Sequence, residues 1–260
     1  MWTFLLLGLI QGLTEFLPIS SSGHLALSEA WMQVEKPGLL FDALVHLATV
    51  GSVIFFYRKR FVELLKSPFS ESSKLWWKTL FLATLPTVII GFTLKEFVET
   101  AFETPAMVAT GLLWTGIILF MSPRWIQENR ELDQLSIWQL FTIGLAQGLA
   151  IFPGVSRSGM TIAAALLMGL NREKAAEFSF LLAIPAILGA TVLQLFEALD
   201  DWEAHTALLV NYAGGAAVAL ISGIIAIGLM IRVLQQGKLR LFAYYCWLLG
   251  LAVLAWVLWA

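Results

Sequence analysis

Apolar residues run through this chain in blocks long enough to cross a bilayer, separated by short polar connections. A helix needs roughly 20 mostly apolar residues to traverse about 30 Å of hydrocarbon. Six stretches meet that demand: Leu39 to Tyr57, Leu75 to Leu94, Pro105 to Ser122, Phe178 to Phe196, Ala207 to Ile231 and Leu241 to Ala260. Two others do not. Trp2 to Met32 and Ile137 to Leu170 are apolar at both ends but carry a Pro-, Gly- and Ser-rich centre. Arms of about 15 residues around a polar turn suit a re-entrant helical hairpin better than two full crossings.

Composition narrows the class further. Of the 260 residues, 59% are apolar and 13% charged, against about 45–50% and about 25% in an ordinary globular chain. That excludes a soluble globular enzyme, a disordered chain and a disulfide scaffold; the single Cys246 can form no internal disulfide. Eleven Trp and eighteen Phe add the aromatic load of membrane interfaces. A net charge of -2 offers nucleic acid no electrostatic attraction. The expectation is an all-α polytopic membrane protein, one membrane domain over 1–260, with about six full spans and two re-entrant hairpins.

Basic residues near span ends stay on the cytoplasmic side. All but Lys36, Lys95 and Arg157 of the sixteen Lys and Arg residues fall in connections of one parity. These are the Arg58–Lys78 connection, the Arg124–Arg130 connection, Arg172 with Lys174, and Arg232–Arg240. The opposite connections are acidic, with Glu96, Glu99 and Glu103, then Glu197, Asp200, Asp201 and Glu203. On this count the second hairpin enters from the cytoplasm and the first from outside, with both termini outside. No basic n-region or small-residue cleavage site marks a cleavable signal peptide.

The two hairpins also resemble each other. Gln11 to Gly23 reads QGLTEFLPISSSG and Gln147 to Gly159 reads QGLAIFPGVSRSG, with seven of thirteen positions identical. Opposite entry makes this an inverted-topology repeat, approximately 1–122 and 136–260, joined by a cytoplasmic loop at 123–135. Broken helices from two such halves meet near mid-depth.

An ionisable residue within a membrane segment costs about 2.5–3.5 kcal/mol on insertion scales, so those in the turns are expected to share a polar cavity. The first turn offers Gln11, Glu15, Ser20, Ser21, Ser22 and His24; the second offers Ser156, Arg157, Ser158 and Thr161. Gln11 and Glu15 are four apart and share a helix face, and Pro18 then interrupts the helix. Arg157, at an expected helix start, has a fork of donors suited to phosphate. With the helix N-terminus, Ser156, Ser158 and Thr161 it forms an anion cradle. Glu15 suits either a divalent cation, with the Gln11 amide oxygen and phosphate oxygens, or a general base. His24 behind Ser21 and Ser22 suggests a nucleophile with its base, or a proton donor to a leaving group. His46 and His205 read as incidental, and Asp42 as a supporting group at the outer end of a span. Together the turns describe a site for a phosphorylated ligand within reach of the membrane.

QGLTEFLPISSSGH from Gln11 resembles the (E/Q)xxxE signature and Ser-rich turn of undecaprenyl-diphosphate phosphatases, the bacitracin-resistance family of bacterial inner-membrane proteins. PGVSRSGMT from Pro153 is similar to that family's PGxSRSxxT motif, and the likeness extends through GLNREKAAEFSFLLAIPAILGA from Gly169. The resemblance implies hydrolysis of undecaprenyl diphosphate to the monophosphate carrier of peptidoglycan synthesis, and bacitracin resistance with it. It implies Mg²⁺ or Ca²⁺ and a site open to the periplasm. Gln11 and Glu15 take metal or acid–base roles, and Ser21 and His24 become candidates for nucleophile or proton transfer. Arg157, with Ser20, Ser22, Ser156, Ser158 and Thr161, would grip the diphosphate. Gln11 stands where many relatives carry Glu, one charge fewer beside the metal. Expected partners are the lipid substrate, bilayer lipids and at most a second copy in a homodimer, with no nucleic acid. Ser22-Gly23-His24 also resembles the SGH of acid-phosphatase-like lipid phosphatases. No Lys or Arg precedes His24, so that family's upstream basic motif is missing.

Overall fold

The computed structural model describes residues 1–32, 38–102, 104–122, 130–198 and 208–259. Lys36, Glu103, Arg124, Asp200, Asp201, Glu203 and His205 lie outside the described residues, as do Ala260 and 123–129 of the connecting loop.

Twelve α-helices follow one another among the described residues. They are α1 (Trp2–Phe16), α2 (Ser21–Met32), α3 (Leu39–Phe56), α4 (Arg58–Lys66), α5 (Glu71–Thr93) and α6 (Lys95–Phe102). The rest are α7 (Pro105–Met121), α8 (Ile137–Leu149), α9 (Arg157–Leu167), α10 (Arg172–Ala198), α11 (Leu209–Gln235) and α12 (Arg240–Trp259). Five of these, α3, α5, α10, α11 and α12, are long and apolar enough to cross a bilayer. A sixth crossing counts only if α7, 17 residues long, is joined to α6 across a 104° bend. Exposed large apolar side chains such as Phe81, Phe92, Ile225, Leu248 and Leu258 line the outside, a surface suited to lipid rather than water. This is a multi-pass membrane protein.

The shorter helices α1/α2 and α8/α9 are the two expected hairpins. α1 stops at Phe16 because Leu17, preceding Pro18, is extended with ψ 143°, as the proline ring requires of its neighbour. α8 starts in a capping box: the Ser136 hydroxyl accepts from the Gln139 N–H while the Gln139 side chain accepts from Ser136 N–H.

Each hairpin is clamped by the other half of the chain. α1 packs along α11, and α8 packs along α5. The closest approach matches at one equivalent pair of glycines. A Cβ added at Gly8 would collide with the Gly215 carbonyl, and one at Gly144, the residue equivalent to Gly8, with the Ala83 carbonyl. Only glycine permits backbones this close. The likeness between the hairpins therefore begins three residues before the Gln of each motif.

Charged groups gather at opposite ends of the long helices. At one end Glu177, on the first turns of α10, accepts from Arg60 Nε at 3.1 Å and Lys174 Nζ at 2.9 Å. These pairs explain why α10 begins at Arg172, six residues before its uninterrupted apolar run. At the other end Lys95 donates to Glu197 at 2.7 Å and lies 3.7 Å from Glu99, so this exception among the acidic connections sits inside an acidic pair.

Candidate active site

The two turns meet at the centre of the molecule. A Cβ added at Gly23 would lie 3.2 Å from the Gly154 Cα, and one at Gly159 would lie 3.2 Å from the Pro18 Cβ. Since Pro18 and Gly154 are equivalent motif positions, each turn presses its first helical turn against the bend of the other.

Equivalent residues begin the second helix of each hairpin. Ser20 Oγ accepts the Gly23 N–H at 3.2 Å, capping α2. Ser156 Oγ accepts the Gly159 N–H at 3.1 Å, capping α9. The next residues, Ser21 and Arg157, each reach the same carboxylate. Ser21 Oγ donates to Glu15 Oε2 at 2.6 Å, and Arg157 Nη2 donates to Glu15 Oε1 at 2.8 Å. Gln11 Nε2 adds a third bond, to Oε2 at 3.0 Å. Glu15 is thus satisfied from both hairpins. Its side chain is 6% exposed and that of Arg157 is 14% exposed, so neither charge is left alone in a poorly polarisable setting.

The remaining hydroxyls brace this core. Ser158 Oγ donates to the Leu17 carbonyl at 3.1 Å and meets Ser156 Oγ at 3.2 Å; the equivalent pair, Ser20 and Ser22, meets at 3.4 Å. Thr161 is fully buried, and its hydroxyl donates to the Arg157 carbonyl and bonds the Ser179 hydroxyl of α10. The Ser179 carbonyl accepts from Arg157 Nη1 at 3.5 Å. Thr161 therefore supports Arg157 from behind.

His24 does not hydrogen-bond to Ser21 or Ser22. Its Nδ1 faces the Ser20 carbonyl at 2.7 Å and its Nε2 faces the Tyr245 hydroxyl of α12 at 2.6 Å. Ser21, by contrast, has Glu15 as its partner. Ser20 has φ +70°, the one positive value among described non-glycine residues. In the second turn the positive φ, +81°, falls at Gly154 instead. Pro18 occupies that position in the first turn and its ring forbids a positive φ, so the reversal moves two residues on, to Ser20.

Several functional neighbours were not apparent from sequence. Thr115 of α7 donates to the Gly154 carbonyl at 3.2 Å and accepts from the Ser156 N–H at 3.0 Å. Cys246 of α12 reaches the Pro18 carbonyl at 3.7 Å, the equivalent contact on the first turn. His46, read as incidental, lies within electrostatic reach of the Glu15 carboxylate. Its Nδ1 is tied to the Asp42 carbonyl at 2.7 Å. The signal for it was the Asp42-His46-Thr49-Val53 face of α3, whose Val53 belongs to the same buried cluster as Phe16 and Phe180. A cavity of about 620 Å³ lies elsewhere, between Tyr57, Arg58, Lys59, Glu173 and Lys174, and includes none of these site residues.

Residues 4–252 match the family described as bacitracin resistance protein BacA. The chain belongs to the BacA family. Among relatives, it is similar to the undecaprenyl-diphosphatase of Carboxydothermus hydrogenoformans, 41% identical over 251 residues covering 96% of this chain and 95% of that protein. The undecaprenyl-diphosphatase 4 of Bacillus thuringiensis is 42% identical over 252 residues, 96% of this chain and 94% of that protein. The undecaprenyl-diphosphatase of Syntrophotalea carbinolica is 41% identical over 253 residues, 95% of each chain. Membership of the BacA family thus covers both hairpins, both motifs and all the long helices but the end of the last.

Proposed function

We propose that this BacA-family protein hydrolyses undecaprenyl diphosphate to undecaprenyl phosphate and inorganic phosphate, returning the lipid carrier to peptidoglycan synthesis and countering bacitracin. The observation that carries the reading is the joint grip of Ser21 and Arg157 on Glu15. One hairpin supplies a hydroxyl beside its base, and the other supplies a cation for phosphate, inside a membrane domain whose relatives bear that enzymatic name.

In this reading the isoprenoid tail lies among the apolar helices and the diphosphate head enters between the turns. The Ser21 hydroxyl, 2.6 Å from Glu15, is the attacking group that the geometry favours. Glu15 takes its proton as the oxygen bonds to the terminal phosphorus and the bond to the bridging oxygen breaks. Water then releases phosphate from Ser21. Arg157 keeps donors in its fork beyond those used on Glu15 and Ser179, and these neutralise the phosphoryl oxygens, the main requirement of a loose phosphoryl-transfer transition state. The hydroxyls of Ser20, Ser22, Ser156 and Ser158 hold both turns in register around that charge. An attack by His24 or by water would leave no phosphate on Ser21.

The donors also suit a divalent cation. Gln11 Oε1 is buried without a hydrogen-bond partner, beside Glu15. Among the described residues no group of three or more His, Cys, Asp or Glu side chains could hold a metal. One carboxylate, one amide oxygen and substrate phosphates make the partial shell typical of Mg²⁺, whereas Ca²⁺ favours a fuller oxygen cage. When bound, Mg²⁺ supplies positive charge to the phosphoryl oxygens.

The sidedness count supports a bacterial inner-membrane protein whose site opens to the periplasm, with both termini on that side and the halves 1–122 and 136–260 as an inverted repeat. Pairing of the acidic ends through Lys95 and Glu197 and of the basic ends through Arg60, Glu177 and Lys174 agrees with that orientation. The decisive test is purified protein in detergent with undecaprenyl diphosphate and Mg²⁺. Phosphate release is expected; binding without release would make the protein a lipid carrier instead.

A further inference from the structure

We propose that Tyr245 is a positioning residue for His24: its hydroxyl holds the imidazole in one tautomer and one orientation at the mouth of the site. The inference rests on the diphosphatase reading for its effect on turnover, but the geometry stands by itself. A carbonyl oxygen can only accept, so the 2.7 Å contact between His24 Nδ1 and the Ser20 carbonyl places a proton on Nδ1. Nε2 of the neutral ring is then an acceptor, and the Tyr245 hydroxyl donates to it at 2.6 Å. Both contacts are directional, and the second nitrogen's state follows from the first.

Three features make this more than an incidental contact. The Ser20 carbonyl is aimed by the φ of +70° that Pro18 displaces onto Ser20, so the Nδ1 bond depends on backbone held in a sparsely populated region. The two rings are also nearly parallel and set edge to edge, with centroids 5.7 Å apart and planes within 10°, which fixes the imidazole plane as well as its hydrogen bonds. Finally, the neighbouring Cys246 reaches the Pro18 carbonyl, so consecutive residues of α12 grip the bend and the histidine of the first hairpin. A tyrosine hydroxyl can rotate, donating to neutral Nε2 and accepting from its protonated form. Tyr245 therefore stays bonded to the ring whether Nε2 is bare or protonated. Nothing in the sequence points to the pair, since 221 residues separate its members.

Tyr245→Phe keeps the ring and removes only the hydroxyl. The expected result is a kcat lower by about tenfold, the rate equivalent of one hydrogen bond, with KM unchanged. The same substitution should add nothing in a His24→Gln background, because coupled residues are not additive. An unchanged kcat, or an undiminished loss in the His24→Gln background, would overturn the proposal. A readout independent of turnover is the imidazole ¹⁵N spectrum of histidine-labelled protein, with His24 assigned by its loss in His24→Gln. The wild type should show an unprotonated, hydrogen-bonded Nε2 whose resonance moves in Tyr245→Phe. No movement overturns the contact even if the wild type proves to hydrolyse nothing, whereas movement without hydrolysis removes the diphosphatase reading alone.

Discussion

At the first turn Ser20 caps α2 and Ser21 begins it; at the second Ser156 caps α9 and Arg157 begins it. The bend of each turn is held by a side chain from the opposite half of the chain, Thr115 of α7 at the second and Cys246 of α12 at the first. Yet only the first arm carries a carboxylate. Ile151 stands where Glu15 does, Met160 where His24 does, and Gln147 bonds Thr87 rather than an acid. Duplicated backbone geometry thus leaves side-chain chemistry free to diverge: one copy carries a carboxylate and an imidazole, the other a guanidinium. Both copies retain a buried glutamine oxygen without a partner, at Gln11 and Gln147, but only Gln11 has a carboxylate beside it.

The comparison predicts that the charged position of the second turn matters most. Arg157→Ala should lower kcat/KM by about 10²–10³, the typical loss of one aimed donor, with expression intact. Arg157→Lys should restore little, because an ammonium lacks the planar fork. Near-normal turnover in either would remove the phosphate-clamp role. On the first turn, Glu15→Gln keeps an acceptor for Ser21 but no base, and a loss of about 10² is expected. Its Mg²⁺ titration should also move; an unmoved titration would argue against ligation. Trapping with labelled substrate should find acid-stable phosphate on the wild-type protein and none on Ser21→Ala. Acid-labile, base-stable label present in Ser21→Ala and lost in His24→Ala would reverse that assignment.

Smaller effects separate the two frames. Gly154→Ala, at φ +81° and against the Val108 carbonyl, should destabilise by roughly 1–3 kcal/mol in detergent unfolding. Thr115→Val leaves the Ser156 N–H and the Gly154 carbonyl without their partner, a loss of about 1–3 kcal/mol. Cys246→Ala, which removes a weak sulfur donor from the equivalent place, should cost about 1 kcal/mol or less. Equal losses at Thr115 and Cys246 would mean the two bends are held with equal strength.

Hydropathy alone exposed the long helices and the two interrupted stretches, because burial in lipid demands long apolar runs. The Glu15 and Arg157 pairing was legible as well: two costly charges in repeated turns had to find each other. Helix ends were less so. α10 extends to Arg172 because Arg60 and Lys174 satisfy Glu177, a compensation invisible without the packing. Tyr245, Thr115 and Ser179 escaped notice, and His46 was passed over as incidental, for a related reason. Each is an ordinary residue of an apolar span until tertiary contact aims it at a turn.

Clamping each hairpin against the opposite half has a consequence for how the chain comes to be assembled. α1 emerges during synthesis roughly 200 residues ahead of α11, the helix it lies along, an interval of about 10–40 s at ordinary translation speeds. For most of that time Glu15 lacks Arg157, and throughout it Gly8 lacks the Gly215 backbone against which it packs. The N-terminal segment must wait beside the growing protein, and any nascent product stopped short of α11 leaves it unseated.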